Sequence, residues 1–510
     1  MTTQLNQLTE LTTTSDDDLI LIRENSTGID KRMKAQNIRA KATTKADVGL
    51  GNVTNDAQLK IASNLSDLAN AGTARTNLGL GNVDNTSDLD KPISTATQAA
   101  LNEIDAKAPA GQFSWDNSST TTPVAKPVVT PSADLIASIH GRMRGCLLLD
   151  NGQVNYYLNP SDWTQKQDGS ASVLTGADGM VMVEIPKFYV RNNSAGSTWL
   201  PLISATPLAG YSVHPAFFKD GVEVPFRYYS AYDAAAISGS TIIETDNAND
   251  QSGSVNTATD KLISVSGVYP MAGLTRNEFR LLAANRGAGW RIGDFALWSA
   301  VGLLLAVEAQ TLESQATYGV GNTRHTTWPA GGTFADNNRT VQSGEGNSIG
   351  NGSGGLATGT INTSNNGDFV KYRGIENFWG NVWNWTDGMN IFSEGNTSGD
   401  KVFAYWSNNT DDFADDTEDN FGLLGEIANS FAATRYATQF DLNTAWAKVV
   451  KAVSTTGSHG TTDFYFTNSG WRVLRVGGSA GSGAAAGAFA FGGGNDSGLR
   501  SRAVGARLAY

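Results

Sequence analysis

The chain has 510 residues, 40% hydrophobic and 17% charged, with a formal net charge of −12. That length is ample for a sizeable core, and the charge deficit is filled by Gly, Ser, Thr, Asn and Ala, which suit turns and close-packed strands more than long helices. The acidic balance, with no basic cluster longer than Lys31-Arg32 or Arg500-x-Arg502, argues against a nucleic-acid partner. No window approaches the roughly 18 uninterrupted apolar residues of a membrane-spanning helix, so no membrane insertion is expected.

The polar, acidic segment Met1 to Asp18 lacks a basic, apolar leader pattern, which predicts synthesis in a cytosol without secretion by that route. Residues 1–45 then hold Leu19-Ile-Leu-Ile22, an apolar run that predicts a strand buried on both faces and in need of a covering partner. Residues 46–110 carry an internal repeat. Gly49-Leu-Gly-Asn-Val-Thr-Asn55 returns as Gly79-Leu-Gly-Asn-Val-Asp-Asn85, and fixed-period repetition points to a stacked or fibrous unit. Ile61, Leu65 and Leu68, then Leu101, Ile104 and Ala108, have the spacing of a short coiled-coil seam. Such runs are too brief to stand alone and read as oligomer contacts.

Residues 111–134 combine a Ser/Thr run from Ser118 to Thr122 with Pro123, Pro127 and Pro131, the composition of an extended, semi-rigid linker. Residues 135–510 read as one large globular unit. Within it Gly179 to Ile185 is a strand pattern with Val181, Val183 and Ile185 on one face. Asp294 caps a predicted helix through about Glu308, with Leu297, Trp298, Val301, Leu304 and Leu305 inward. The Gly/Asn/Ser-rich stretch 319–367 reads as loop, and whether 220–275 form a separate insertion stays open. The alternation of Val504, Ala506, Leu508 and Tyr510 predicts a terminal strand tucked into a sheet.

The single cysteine, Cys146, excludes an intrachain disulfide framework and multi-cysteine metal sites. In its apolar run it reads as a buried structural thiol. His140, His214, His325 and His459 are far apart and form no ligand pattern. No Walker A sequence occurs. No catalytic residue and no metal ligand is therefore assigned. The run Asp411, Asp412, Asp415, Asp416, Glu418 and Asp419 reads as a solvated loop, beside which a Ca²⁺ site is the sharper reading on ligand type alone. Trp379, Trp383 and Trp385 read as core aromatics, with a sugar-stacking platform as the alternative.

Two resemblances sharpen this picture. Asn64-Leu-Ser-Asp-Leu-Ala-Asn70, Ala74-Arg-Thr-Asn-Leu-Gly-Leu-Gly-Asn82 and Asn85-Thr-Ser-Asp-Leu-Asp-Lys-Pro-Ile-Ser94 resemble the repeat of tailed-phage tail fibres. That resemblance implies a homotrimeric stem attached through its N-terminus to a tail or baseplate component of the virion. Ile139 to Leu148 with Gly179 to Tyr189, Tyr372 to Gly388, and Gly470-Trp-Arg472 with Ala486 to Ala490 and Ala503 to Leu508 resemble the C-type lectin-like fold. The branch in question is shared by formylglycine-generating enzymes and phage tropism determinants. The cysteine pair of its oxidases is missing here. The fold class expected is α+β: a trimeric fibrous stem with short coiled-coil segments, then a C-type lectin-like globular head.

In that branch the C-terminal Gly-rich region presents the ligand-binding loops. The resemblance therefore implies a host-surface receptor, glycan or protein, bound through Ser479, Ser482, Phe489, Phe491, Asn495, Asp496, Ser497 and Arg500. Glycines allow close backbone approach, and these residues offer apolar, amide, hydroxyl and charged contacts. The competing reading packs Ala484 to Gly494 at a trimer interface, with Phe489 and Phe491 in the neighbouring subunit. Two other functions stay open, a virion-associated polysaccharide depolymerase and a purely structural head or collar fibre.

Overall fold

The computed structural model describes residues 19–23, 30–34, 70–80, 94–95, 110–119, 124–125, 129–243, 245, 248–324, 340–357, 368–431, 433–455 and 463–510. The chain divides into two units, residues 1–95 and 96–510. In the first, the apolar run at 19–22 does form a strand, Leu19–Arg23, paired antiparallel with Asp30–Lys34. A short helix, Ala71–Asn77, starts where the Asn70 side chain accepts a hydrogen bond from the Thr73 N–H. The coiled-coil positions Ile61, Leu65, Leu68, Leu101, Ile104 and Ala108 lie outside the described residues, as does most of the repeat.

The second unit is α+β and mostly strand. In chain order it runs through β1 (Arg144–Leu148), β2 (Val154–Asn159), β3 (Asp162–Lys166), β4 (Met180–Pro186) and β5 (Phe226–Ser230). Helix α1 (Arg276–Ala284), β6 (Arg291–Ile292) and helix α2 (Phe295–Ala309) follow. The rest is β7 (Trp383–Ser393), β8 (Val402–Trp406), β9 (Gly422–Ile427), β10 (Arg435–Phe440), β11 (Val450–Ser454), β12 (Phe464–Thr467), β13 (Gly470–Val476), β14 (Phe491–Asn495), β15 (Val504–Ala506) and β16 (Leu508–Ala509).

Two large sheets organise these strands. A seven-stranded sheet has the order β6-β16-β5-β4-β1-β2-β3. A nine-stranded sheet has the order β9-β8-β7-β13-β14-β12-β10-β11, with β15 parallel on β7. The predicted face of β4 is real, since Val181, Val183 and Ile185 all join the larger core. The opposite face is buried too, because Met180 and Met182 join a second core with Cys146. A strand buried on both faces needs apolar side chains at every position but one, and β4 has that composition. The exception is Glu184, which accepts hydrogen bonds from Arg144, Tyr157 and Tyr228.

Helix α2 begins as predicted, with the Asp294 carboxylate accepting from the Leu297 N–H at 2.8 Å. It is not amphipathic, however: every residue from Phe295 to Val307 is buried. Helix α1 opens on a capping box between Thr275 and Glu278. The 220–275 region is no separate body. Its strands Ala235–Ser238, Thr241–Ile243 and Lys261–Ile263 form a small sheet, and Ala235, Leu262 and Ile263 belong to the second core. The stretch 319–367 is not all loop, since Gly354–Ala357 pairs with Asp368–Tyr372.

The start of the linker needs correcting as well. Ala110–Gln112 pairs with Pro201–Ser204, and Trp115–Asp116 pairs with Thr198–Trp199. Phe113 and Trp115 are core residues. Burial of two aromatics outweighs the Ser/Thr/Pro composition that follows them.

Candidate functional site

Strands β13 and β14 run antiparallel in the middle of the large sheet, and the segment between them carries three of the eight sequence-predicted site residues, Ser479, Ser482 and Phe489. Most of that segment is held inside the protein. The Ser482 hydroxyl accepts from the Ser479 N–H at 2.9 Å, and Ser479 is only 5% exposed. Gln315 donates to the carbonyls of Gly483 and Ala486, and the Phe489 N–H donates to the Asp463 carboxylate at 2.7 Å.

Phe489 and Phe491 are 4% and 5% exposed. Phe491 stacks on Tyr465 with centroids 5.0 Å apart. Phe489 lines a cavity of about 20 Å³ with Trp199, Trp298, Trp446 and Lys448, room for about one water. These two rings bury into their own chain. Spacing alone could not tell an Ala/Gly-rich core segment from a binding loop, because small residues serve both.

The remaining predicted residues lie nearer the surface. Asp496 is exposed and accepts from the Gly498 N–H at 3.1 Å. Ser497 donates to the Asp416 carboxylate. Arg500 is committed to its own chain, donating to Glu278 at 2.7 Å and pairing with Asp250 at 3.3 Å. The Asn495 side-chain oxygen is buried and makes no hydrogen bond. Asn495, Asp496, Ser497 and Arg500 thus form a turn fastened to helix α1 and to the acidic segment.

That acidic segment is not simply solvated. Asp415 receives Arg276 Nη2 at 2.6 Å and Arg280 Nη2 at 2.7 Å. Arg280 also grips the buried Asp387 at 2.6 Å, and Arg276 reaches Asn390 on β7 at 2.5 Å. Burial would raise the Asp415 carboxyl, but the two guanidiniums overcome it and hold it below its ordinary 3.8. Asp412 accepts from the Ser407 hydroxyl. Among the described residues no group of three or more His, Cys, Asp or Glu side chains could hold a metal ion.

His140 and His214 are buried and bonded to the carbonyls of Leu304 and Trp446, while His325 and His459 lie outside the described residues. Burial drives His214 down to about 3, so it stays neutral. Cys146 is a buried free thiol pushed well above its ordinary value by desolvation.

The tryptophans follow the core reading: Trp379, Trp383 and Trp385 are all buried, and Trp385 Nε1 donates to the Leu274 carbonyl at 3.0 Å. The half-exposed aromatics sit elsewhere. Phe392 on β7 lies opposite Phe403 on β8 and Trp471 on β13, and Tyr405 lies opposite Leu423 on β9. The rings of Phe392 and Trp471 are 5.1 Å apart, and those of Tyr405 and Trp471 are 5.9 Å apart.

Directly opposed residues share a face. These five side chains therefore form one strip whose reverse side, Ile391, Val402 and Ala404, is core. Leu423 is 61% exposed at its end. The alternation of Val402, Phe403, Ala404 and Tyr405 was the signal in the sequence; without the neighbouring strands it did not say which face was outside. Neither a family model nor a curated protein matches the chain.

Proposed function

We propose that the chain is a tailed-phage attachment fibre. Residues 1–45 join it to the tail or baseplate, the repeat-bearing stem at 46–110 trimerises it, and a C-type lectin-like head binds a glycan or protein on the host surface. The observation that carries this reading is the aromatic strip Phe392, Phe403, Tyr405, Trp471 and Leu423, half-exposed on a sheet whose other face is core. Exposed Trp, Tyr and Phe on a rigid scaffold are what recognition surfaces concentrate, and their flat faces suit the apolar face of a sugar ring. The turn Asn495 to Arg500 continues the same sheet through β14, with Asp496 exposed. Three such heads on one fibre convert weak single contacts into firm adhesion.

The test is saturable binding of labelled full-length protein to a panel of bacterial cells. The Tyr405→Ala/Trp471→Ala variant is expected to lose at least tenfold in affinity, and Asn495→Ala/Arg500→Ala to lose less. The reverse ranking would move the contact to the C-terminal turn. Saturable binding to none of the cells would overturn the adhesin.

A further inference from the structure

We infer that Arg475 anchors a subsite for an anionic group, a carboxylate or phosphate carried by a surface saccharide; this deepens the adhesin reading and rests on it. Strand β13 places Arg475 opposite Trp385 on β7 and Gly492 on β14. Its guanidinium lies 4.6 Å from the centroid of the Trp383 ring. Its stem lies over Gly492, where a β-carbon would stand 2.9 Å from Arg475 Cγ and 3.1 Å from Nε. The missing side chain at 492 is what lets the arginine lie there.

The deeply buried arginines of the head meet carboxylates, whereas Arg475 is partly buried. Arg227 pairs with Asp294 at 2.6 Å, Arg276 with Asp415 at 2.6 Å, and Arg507 with Asp233 at 2.9 Å. Arg475 differs: among the described residues its side chain makes no ion pair and no hydrogen bond, and its Nε, like that of Arg507, is buried without a partner. Desolvation lowers it to about 10, so it remains charged at neutral pH. A partly desolvated cation without a counter-charge is costly, and part of that cost is recovered when an anion arrives.

The guanidinium fork matches the oxygens of a carboxylate or phosphate, two at a time. The surroundings suit the rest of a saccharide. Trp383 packs edge-on against Phe464 at 5.5 Å, and Phe464 stacks with Phe466 at 5.9 Å, both phenylalanines being half-exposed. A cation flanked by flat apolar rings is arranged to hold an acidic sugar rather than a free ion.

The experiment is calorimetric titration of full-length protein, at fixed ionic strength, with methyl glucuronide, glucose 6-phosphate and neutral methyl glucoside. Binding of one or both acidic ligands on the order of 1 mM, with none of the neutral one, is expected. Glucuronide alone would identify the carboxylate source, and the phosphate ester alone the other. Arg475→Gln should weaken the acidic ligand at least tenfold, Arg475→Lys less, and neither should lower the melting temperature by more than a few degrees, since the side chain is only partly buried and pairs with no carboxylate of its own chain.

No binding of either acid, or equal binding by Arg475→Gln, would overturn the subsite. The cell-binding assay is scored separately. Cells bound equally by wild type and Arg475→Gln would sink the subsite and leave the adhesin, whereas acid binding by a protein that adheres to no cell would do the opposite.

Discussion

Asp415 shows how much of this head is decided by single charges. Its carboxylate is shared by two guanidiniums, 2.6 Å from Arg276 and 2.7 Å from Arg280, with Asp387 as the second negative charge, and Arg276 is wholly buried. Asp415→Asn leaves two guanidiniums sharing Asp387 alone, 3.9 Å from Arg276, and breaking a buried pair from one side costs about 3 kcal/mol or more. The folded carboxyl is held below 3.8. Its ionised form therefore stabilises the fold above the ordinary carboxylate range, and that stability fades as pH falls through the lowered value. Thermal unfolding of wild type and Asp415→Asn should differ fully at pH 7 and converge toward pH 3; a gap that stays constant would mean the carboxylate's charge is not what matters. The acidic run itself was legible in the sequence. The partner Arg276 was not, because it lies 139 residues away and only the fold brings it near.

At the scale of elements, the helix and strand signals that rest on local chemistry carried through. Asp294 caps α2 where the sequence places it, and the alternation from Val504 to Tyr510 does become strand. What periodicity could not show is that this last strand serves two sheets. Val504–Ala506 lies parallel to β7, while Leu508–Ala509 lies between β5 and β6. The terminal Tyr510 exchanges backbone hydrogen bonds with Tyr228 at 3.0 and 3.1 Å. Arg507 interrupts the apolar pattern because it is the buried partner of Asp233 and also donates to the carbonyls of Glu376 and Asn377. Deleting Arg507–Tyr510 removes the strand that joins β6 to β5 and leaves Asp233 as an unpaired buried charge. The loss should exceed about 5 kcal/mol, a large part of a typical domain's whole stability, and the truncated protein should be recovered as aggregate. A cooperative melt within a few degrees of wild type would refute the role assigned to this strand.

For the whole molecule, the boundary of the large second unit is where composition misleads most. Ser/Thr and Pro residues from 118 onward look like linker, yet the residues just before them are sewn into the far end of the chain. Trp115 Nε1 donates to the Thr438 carbonyl at 3.0 Å. Asn117 both donates to the Phe440 carbonyl at 2.7 Å and accepts its N–H at 3.0 Å. These contacts span 323 positions, a separation no local pattern can register. The rings of Trp115 and Trp199 meet Phe440 at 5.4 and 5.0 Å, so the strap fills the core behind β10. A fragment beginning at residue 135 discards this strap. Losing one buried tryptophan alone typically costs about 3–5 kcal/mol. Of two fragments, 96–510 and 135–510, the first should melt cooperatively near the full-length protein, and the second should melt at least about 5 °C lower or fail to stay in solution. Equal melting would return the strap to the linker and leave the head complete from residue 135.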